Sequence, residues 1–372
     1  CDPAASGNTS LCESGDWWIF WDSGVEEIAW DFATLASKVY ASFGDTAAAD
    51  GDVRVFNSYG GFDGDGDISA GGVTFNSNYY VGFGDDTGEA KVYMCAPTGG
   101  GNLSLCDNPK DWTLVYTATA STYETAVSLG VFNSRLYIGL GSSDNDADII
   151  MCNPAGGGNA SNCDNASDFT QVYSETGSRN TILSMLAFNN HFYAGTAGGG
   201  SEGDLLMCDP ANAGNATECD NASDWEFVQN TTYDVVYDFA VYNSKLYAAM
   251  GGSAGEGDVY VCTPGTAGDA EECDDVTDWA VSMNGSQEII YTLEVFNSGL
   301  YAGQGYSAND GDMFICTALS CGTLDWATAY DTSFETLESL AASGSNLYLG
   351  FGNSTGDGDV YQCSPAGGGN IS

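Results

Sequence analysis

One ten-residue phrase recurs along this chain, and its period constrains the fold more than any other feature. The clearest copy is FNSRLYIGLG at 132–141. Its relatives are FNSNYYVGFG at 75–84, FNNHFYAGTA at 188–197, YNSKLYAAMG at 242–251 and FNSGLYAGQG at 296–305. Two diverged copies are LASKVYASFG at 35–44 and ASGSNLYLGFG at 342–352. The central tyrosines are Tyr40, Tyr80, Tyr137, Tyr193, Tyr247, Tyr301 and Tyr348, at spacings of 40, 57, 56, 54, 54 and 47. Self-similarity at such a period is the mark of a repeat architecture, in which each unit buries its apolar face against the next.

Each full unit reads as four short strands. In the third, AVSLGVFN alternates apolar and small residues up to an Asn-Ser turn. RLYIGLG, a polar Ser-Asp-Asn-Asp turn, ADIIMC, a cysteine-bracketed loop and DWTLVY-like outer strands complete the pattern. Short β-rich runs between Gly, Asn, Asp and Ser turns predict an all-β repeat. No segment carries a sustained helical period with caps. Four strands in each 40–55 residues is the arithmetic of a propeller blade, so the expectation is a seven-bladed β-propeller. A β-helix or a sandwich array fits the period less well.

The wording resembles the broad group of secreted and surface propellers whose repeats carry an N-[GS]-x-L-Y-x-G hairpin; kelch and WD40 repeats are more distant parallels. The resemblance covers nearly the whole chain and implies a fold, with almost nothing about activity.

Outer strands are expected from Asp111, Asp168, Asp224, Asp278 and Asp325, with one more, DWWIFW from Asp16, ahead of the first unit. The last unit ends at Cys363 with no outer strand after it. The simplest closure puts the N-terminal strand on the last blade and leaves no open sheet edge. The first unit looks short of an outer strand, because only 40 residues separate Tyr40 from Tyr80. The expectation is one propeller over 1–372: a cysteine loop and closing strand at 1–21, seven repeats at 22–363 and a cut loop at 364–372. With no initiator Met, basic start or signal peptide, the sequence reads as a mature or excised piece.

The cysteine brackets are Cys1/Cys12, Cys95/Cys106, Cys152/Cys163, Cys208/Cys219 and Cys262/Cys273, all Cys-x10-Cys, and Cys316/Cys321, shortened to Cys-x4-Cys. The shortened copy lost six residues yet kept both cysteines, as expected if bracket partners bond to each other. Spacing and the lone His191 argue against structural zinc, and paired cysteines imply an oxidising compartment. Cys363 is left over: either the chain is cut within the motif, or Cys363 and the tail continue into, or bond to, a neighbouring copy.

Sequons occur at Asn8, Asn102, Asn159, Asn165, Asn215, Asn221, Asn230, Asn284, Asn353 and Asn370. Asn8, Asn102, Asn159, Asn215 and Asn370 each lie seven residues after a bracket's first cysteine; Asn165 and Asn221 lie two after its second. The shared phase predicts glycosylated, exposed loops, with covalent N-glycans.

Asp148, Asp204, Asp258, Asp312 and Asp359 each sit four residues before a bracket cysteine, as expected of Gly/Asp hairpin turns. The densest acidic turn, FDGDGDIS, alternates Asp63, Asp65 and Asp67. It resembles a calcium loop, since Ca²⁺ takes hard oxygen ligands, but lacks the terminal Glu of the twelve-residue pattern. No cofactor is required by any motif.

The charge balance is 7 Lys+Arg against 52 Asp+Glu, a formal net charge of −45. Such a surface repels phosphate backbones and anionic lipid heads, so nucleic acid and membranes are poor partners. No apolar run approaches the roughly 18–20 residues of a spanning helix. An aromatic content of 12% argues against disorder.

No singular catalytic constellation breaks the repeat. His191 stands where other copies have Arg135, Lys245 or Gly299, and reads as a surface residue. Arg54, Arg135 and Arg179 occupy different phases, and no nucleophile elbow, phosphate loop or sialidase-type Asp box is found. Trp17, Trp112, Trp225, Trp279 and Trp326, with Phe169, open the outer strands, either as core between sheets or, if exposed, as sugar-stacking rings. The resulting expectation is a non-enzymatic extracellular structural glycoprotein, a repeating subunit of a surface layer or fibre whose partners are copies of itself. The alternatives are a lectin-like propeller binding glycans and, third, a polysaccharide-degrading enzyme using two carboxylates.

Overall fold

The computed structural model describes residues 17–21, 28–35, 38–44, 52–55, 61–63, 69–84, 90–96, 106, 109–118, 125–141, 147–154, 161–198, 200–212, 214–229, 233–252, 257–265, 272–285, 289–306, 311–331, 336–352 and 358–365. Its strands form consecutive four-stranded antiparallel meanders, and the chain is a seven-bladed β-propeller. Blade 1 spans 28–63, blade 2 69–117, blade 3 125–173, blade 4 179–229, blade 5 235–284 and blade 6 289–330. Blade 7 takes three strands from 336–363 and its fourth from Trp17–Trp21, which pairs with Val360–Cys363. Blade 1 does have an outer strand, contrary to expectation. Gly61–Asp63 pairs with Asp52–Val55 through only three residue pairs, which is how the unit fits its shorter period.

The repeated hairpin follows from backbone angles. Asn133 and Ser134 have φ of 44° and 63°, and Asn76/Ser77, Asn189/Asn190, Asn243/Ser244 and Asn297/Ser298 share that conformation. Two successive left-handed residues make the turn that matches strand twist, and Asn tolerates that region better than most residues. The second strands that follow are almost wholly buried. Apolar cores lie between adjacent blades: Phe75, Tyr80 and Val92 of blade 2 pack with Leu136, Ile138 and Ile150 of blade 3. Six of the seven second strands also make one backbone pair with the next inner strand, as in Gly141↔Thr181 and, between blades 7 and 1, Ile28↔Gly352.

Five brackets are disulfides: Cys95–Cys106, Cys152–Cys163, Cys208–Cys219, Cys262–Cys273 and Cys316–Cys321. Cys363 is also disulfide-bonded within the chain. That corrects its expected role as an inter-subunit thiol. The Cys1/Cys12 bracket expected from spacing lies outside the described residues. No described helix is long and apolar enough to cross a membrane.

Candidate functional site

The inner strands of all seven blades face a cavity of about 410 Å³. Each inner strand carries a register shift at the same place, for example between Ala29 and Asp31, Val236 and Asp238, Ile290 and Thr292, and Leu337 and Ser339. A bulge inserts one residue and re-aims its side chain. The inserted residues, five positions before the end of the strand, are Trp30, Val127, Leu183, Tyr237, Tyr291 and Glu338, with Ala70 in the irregular blade 2, and all line the cavity. Blades 2, 3 and 4 thus present small or aliphatic groups. Blades 5, 6, 7 and 1 present Tyr237, Tyr291, Glu338 and Trp30. The Tyr237 and Tyr291 rings meet at 4.9 Å and 58°.

In blades 1, 3, 5 and 7 the next residue of the inner strand makes a clasp to the following blade. Ser128 Oγ donates to Ile182 O at 2.7 Å, and Ser339 Oγ to Ala29 O at 2.7 Å. Where the position is Asp, the bond is reversed: Gly72 N donates to Asp31 Oδ2 at 2.8 Å and Leu293 N to Asp238 Oδ2 at 2.8 Å. These carboxyls are half-buried, enclosed by protein yet open to the cavity. Burial pushes Asp31 up to about 6 and Asp238 up to about 7, against the pull of the backbone N–H groups. Glu294 and Glu338, also on the wall, are pushed up to about 7, again chiefly by burial. Asp238 adds to the shift of Glu294, and Asp31 to that of Asp238, so the acids sense one another across the space. Among the described residues no Lys, Arg or His lines the cavity. Among the described residues no group of three or more His, Cys, Asp or Glu could hold a metal ion.

The residues singled out by sequence fall elsewhere. Asp63 lies in the outer strand of blade 1, while Asp65 and Asp67 are outside the described residues. His191 is 8% exposed rather than on the surface, with Nε2 3.1 Å from Glu272 Oε1 of the next blade. Arg135 makes the equivalent bond to Glu218 at 2.6 Å. Trp112, Trp225 and Trp279 are buried, so their rings are core and offer no face to a sugar. The acidic turn residues Asp148, Asp204 and Asp258 are buried too; Asp148 accepts from Glu175 N at 2.7 Å and Asp258 from Gly285 N at 3.1 Å.

Asn165, Asn215, Asn221 and Asn284 are exposed. Asn8, Asn102, Asn159, Asn230, Asn353 and Asn370 lie outside the described residues. The phase of Asn165 and Asn221 has a structural cause besides glycosylation. Each caps a 3-10 turn, accepting from Ser167 N and Ser223 N, and Asp275 does the same in blade 5 without a sequon. Sequence reasoning missed the cavity wall because its residues share a column that reads Trp, Ala, Val, Leu, Tyr, Tyr, Glu. Divergence at a fixed phase was the available signal.

No protein-family model matches the chain, and no curated protein does. Many solved structures share its fold. One is the WD40 β-propeller domain of Doa1, at 13% identity and a TM-score of 0.56, covering 93% of this chain and 96% of that one. Another is the computationally designed protein Ika8, at 12% identity and a TM-score of 0.51, covering 93% and 99%. At such identities the likeness shows the fold alone.

Proposed function

We propose that this chain is a non-enzymatic extracellular structural glycoprotein, a repeating subunit of a surface layer or fibre. The observation that carries this reading is where the repeated polar groups go. Among the described residues, hydroxyls, carboxyls and bracket cysteines recur as joints within a blade or between a blade and its neighbour. Such a ring is a stapled, acidic building block. Five disulfides fit an oxidising exterior, and exposed Asn165, Asn215, Asn221 and Asn284 are open to glycans. Partners of this kind are further copies of the chain. The test is light scattering and electron microscopy of the purified glycoprotein over a concentration series. Ordered polymers are expected; a monomer at every concentration overturns the reading.

A second reading, a ligand-binding propeller, is favoured by one observation: the aromatic half of the central wall. With the outer-strand Trp112, Trp225 and Trp279 buried, that cavity is the place for a lectin-like role to be tested.

A further inference from the structure

The central cavity differs from the rest of the ring in that the repeat breaks there on one side only. Its volume of about 410 Å³ falls in the range of small-molecule sites, roughly 300–1,000 Å³. Its walls combine aromatic faces from blades 5, 6 and 1 with a carboxyl from blade 7 between them. Anions are excluded by four carboxyls and the absence, among the described residues, of any lining cation. A compact metal ion is disfavoured because no three ligating side chains converge among the described residues. A neutral sugar could stack on the rings but would leave each desolvated carboxylate uncompensated. A cation with an apolar shell suits both halves of the wall. Its charge offsets a carboxylate, and its methyl groups lie on ring faces whose quadrupole attracts positive charge.

We propose that the cavity binds a small organic cation, a methylated ammonium head held against Trp30, Tyr237 and Tyr291 with Glu338 as its counter-charge. This rests on the cavity itself and is independent of the scaffold reading. The Tyr237–Tyr291 corner supplies two converging rings. Glu338 acts on Tyr237 electrostatically, which places its charge near that corner. Asp31, Asp238 and Glu294 face the same space, and Asp234 acts on Tyr237 from the strand end. Because burial holds these acids partly protonated near neutrality, binding a cation releases protons, and affinity rises with pH.

The experiment is calorimetry and tryptophan fluorescence on the intact chain with choline chloride. The controls are matched sodium chloride, calcium chloride, a neutral monosaccharide and 3,3-dimethylbutan-1-ol, the uncharged carbon isostere of choline. Choline is expected to saturate in the millimolar range or below and to bind about tenfold more tightly than its isostere. It should bind better near pH 8 than near pH 6. Glu338→Gln and Tyr237→Leu should each weaken it about tenfold, while Tyr291→Phe, which keeps the ring, should not. Thermal melts verify that each variant is folded. Equal binding of choline and its isostere, binding indifferent to Glu338→Gln, a preference for calcium or sugar, or no saturation near pH 8 would each overturn the proposal. None of these outcomes bears on whether the chain polymerises.

Discussion

Tyr137 illustrates what one hydroxyl does in this ring. Its side chain is fully buried, and its oxygen accepts Cys219 N–H of the next blade at 3.0 Å. Tyr40, Tyr80, Tyr193 and Tyr247 make the same bond to Cys106, Cys163, Cys273 and Cys321. The repeated tyrosine is thus a latch from one blade to its neighbour's disulfide. Tyr137→Phe keeps the ring but leaves a buried N–H unpaired, and chemical denaturation should show a loss of about 1–3 kcal/mol. An unchanged midpoint would mean that water replaces the hydroxyl. The cavity acids give a second prediction at this scale. Glu338 is raised from 4.5 to about 7 by burial. The folded state therefore binds more protons than the unfolded one between those values, and the group's contribution is lost as pH rises through that window. Asp238 and Glu294 act in the same direction. The melting temperature should fall from about pH 5 to pH 8. Glu338→Gln should flatten that fall, gaining on the order of 1–3 kcal/mol near pH 8 and nothing near pH 4. A parallel pH profile in the variant would remove Glu338 as a cause.

At the scale of the element, the hairpin and the inner strand differ in how far they could be read from sequence. The hairpin was legible because its chemistry is local: Asn-Ser between two apolar runs demands left-handed angles, and Asn133 and Ser134 adopt them. The small residue two places after each tyrosine is also explained by packing, since a Cβ on Gly139 would meet Ile182 Cγ2 of the next blade at 2.7 Å. The inner strand was not legible in the same way. Its bulge breaks the two-residue alternation, so Trp30, Tyr237, Tyr291 and Glu338 take a phase that a regular strand would assign to the opposite face. The 3-10 turns carry a second meaning, because Asn165 and Asn221 serve as caps, a role that coincides in sequence with a glycan acceptor. Ser134 holds a left-handed angle of 63°, so Ser134→Gly should stabilise the protein by about 0.5–1 kcal/mol in thermal melts. The same change at Ser128, in an inner strand and donating to Ile182 O, should destabilise it by about 1 kcal/mol or more.

For the whole molecule, the decisive joint is the one between blade 7 and the first strand of the chain. In five blades the first bracket cysteine pairs in register with the aromatic that opens the outer strand: Cys95↔Trp112, Cys152↔Phe169, Cys208↔Trp225, Cys262↔Trp279 and Cys316↔Trp326. In each, the second cysteine precedes that aromatic by six residues, or by five in the shortened copy. Blade 7 repeats the register as Cys363↔Trp17, and Cys12 precedes Trp17 by five. The register therefore predicts Cys12 as the partner of Cys363. Such a bond would tie 17–21 to 363 across nearly the whole chain. A cross-link of that span contributes about 5 kcal/mol in the chain-entropy account, more than any bracket within a blade. Peptide mapping without reduction should yield one fragment joining Cys12 to Cys363, with Cys1 alkylated before reduction. Cys12→Ser should lower the melting temperature further than Cys95→Ser/Cys106→Ser, which opens only an eleven-residue separation. A Cys1–Cys363 fragment would show that the blade register does not govern the closing bridge. Loss of both to disulfide-linked dimers would mean that the closing strand is exchanged between neighbouring copies.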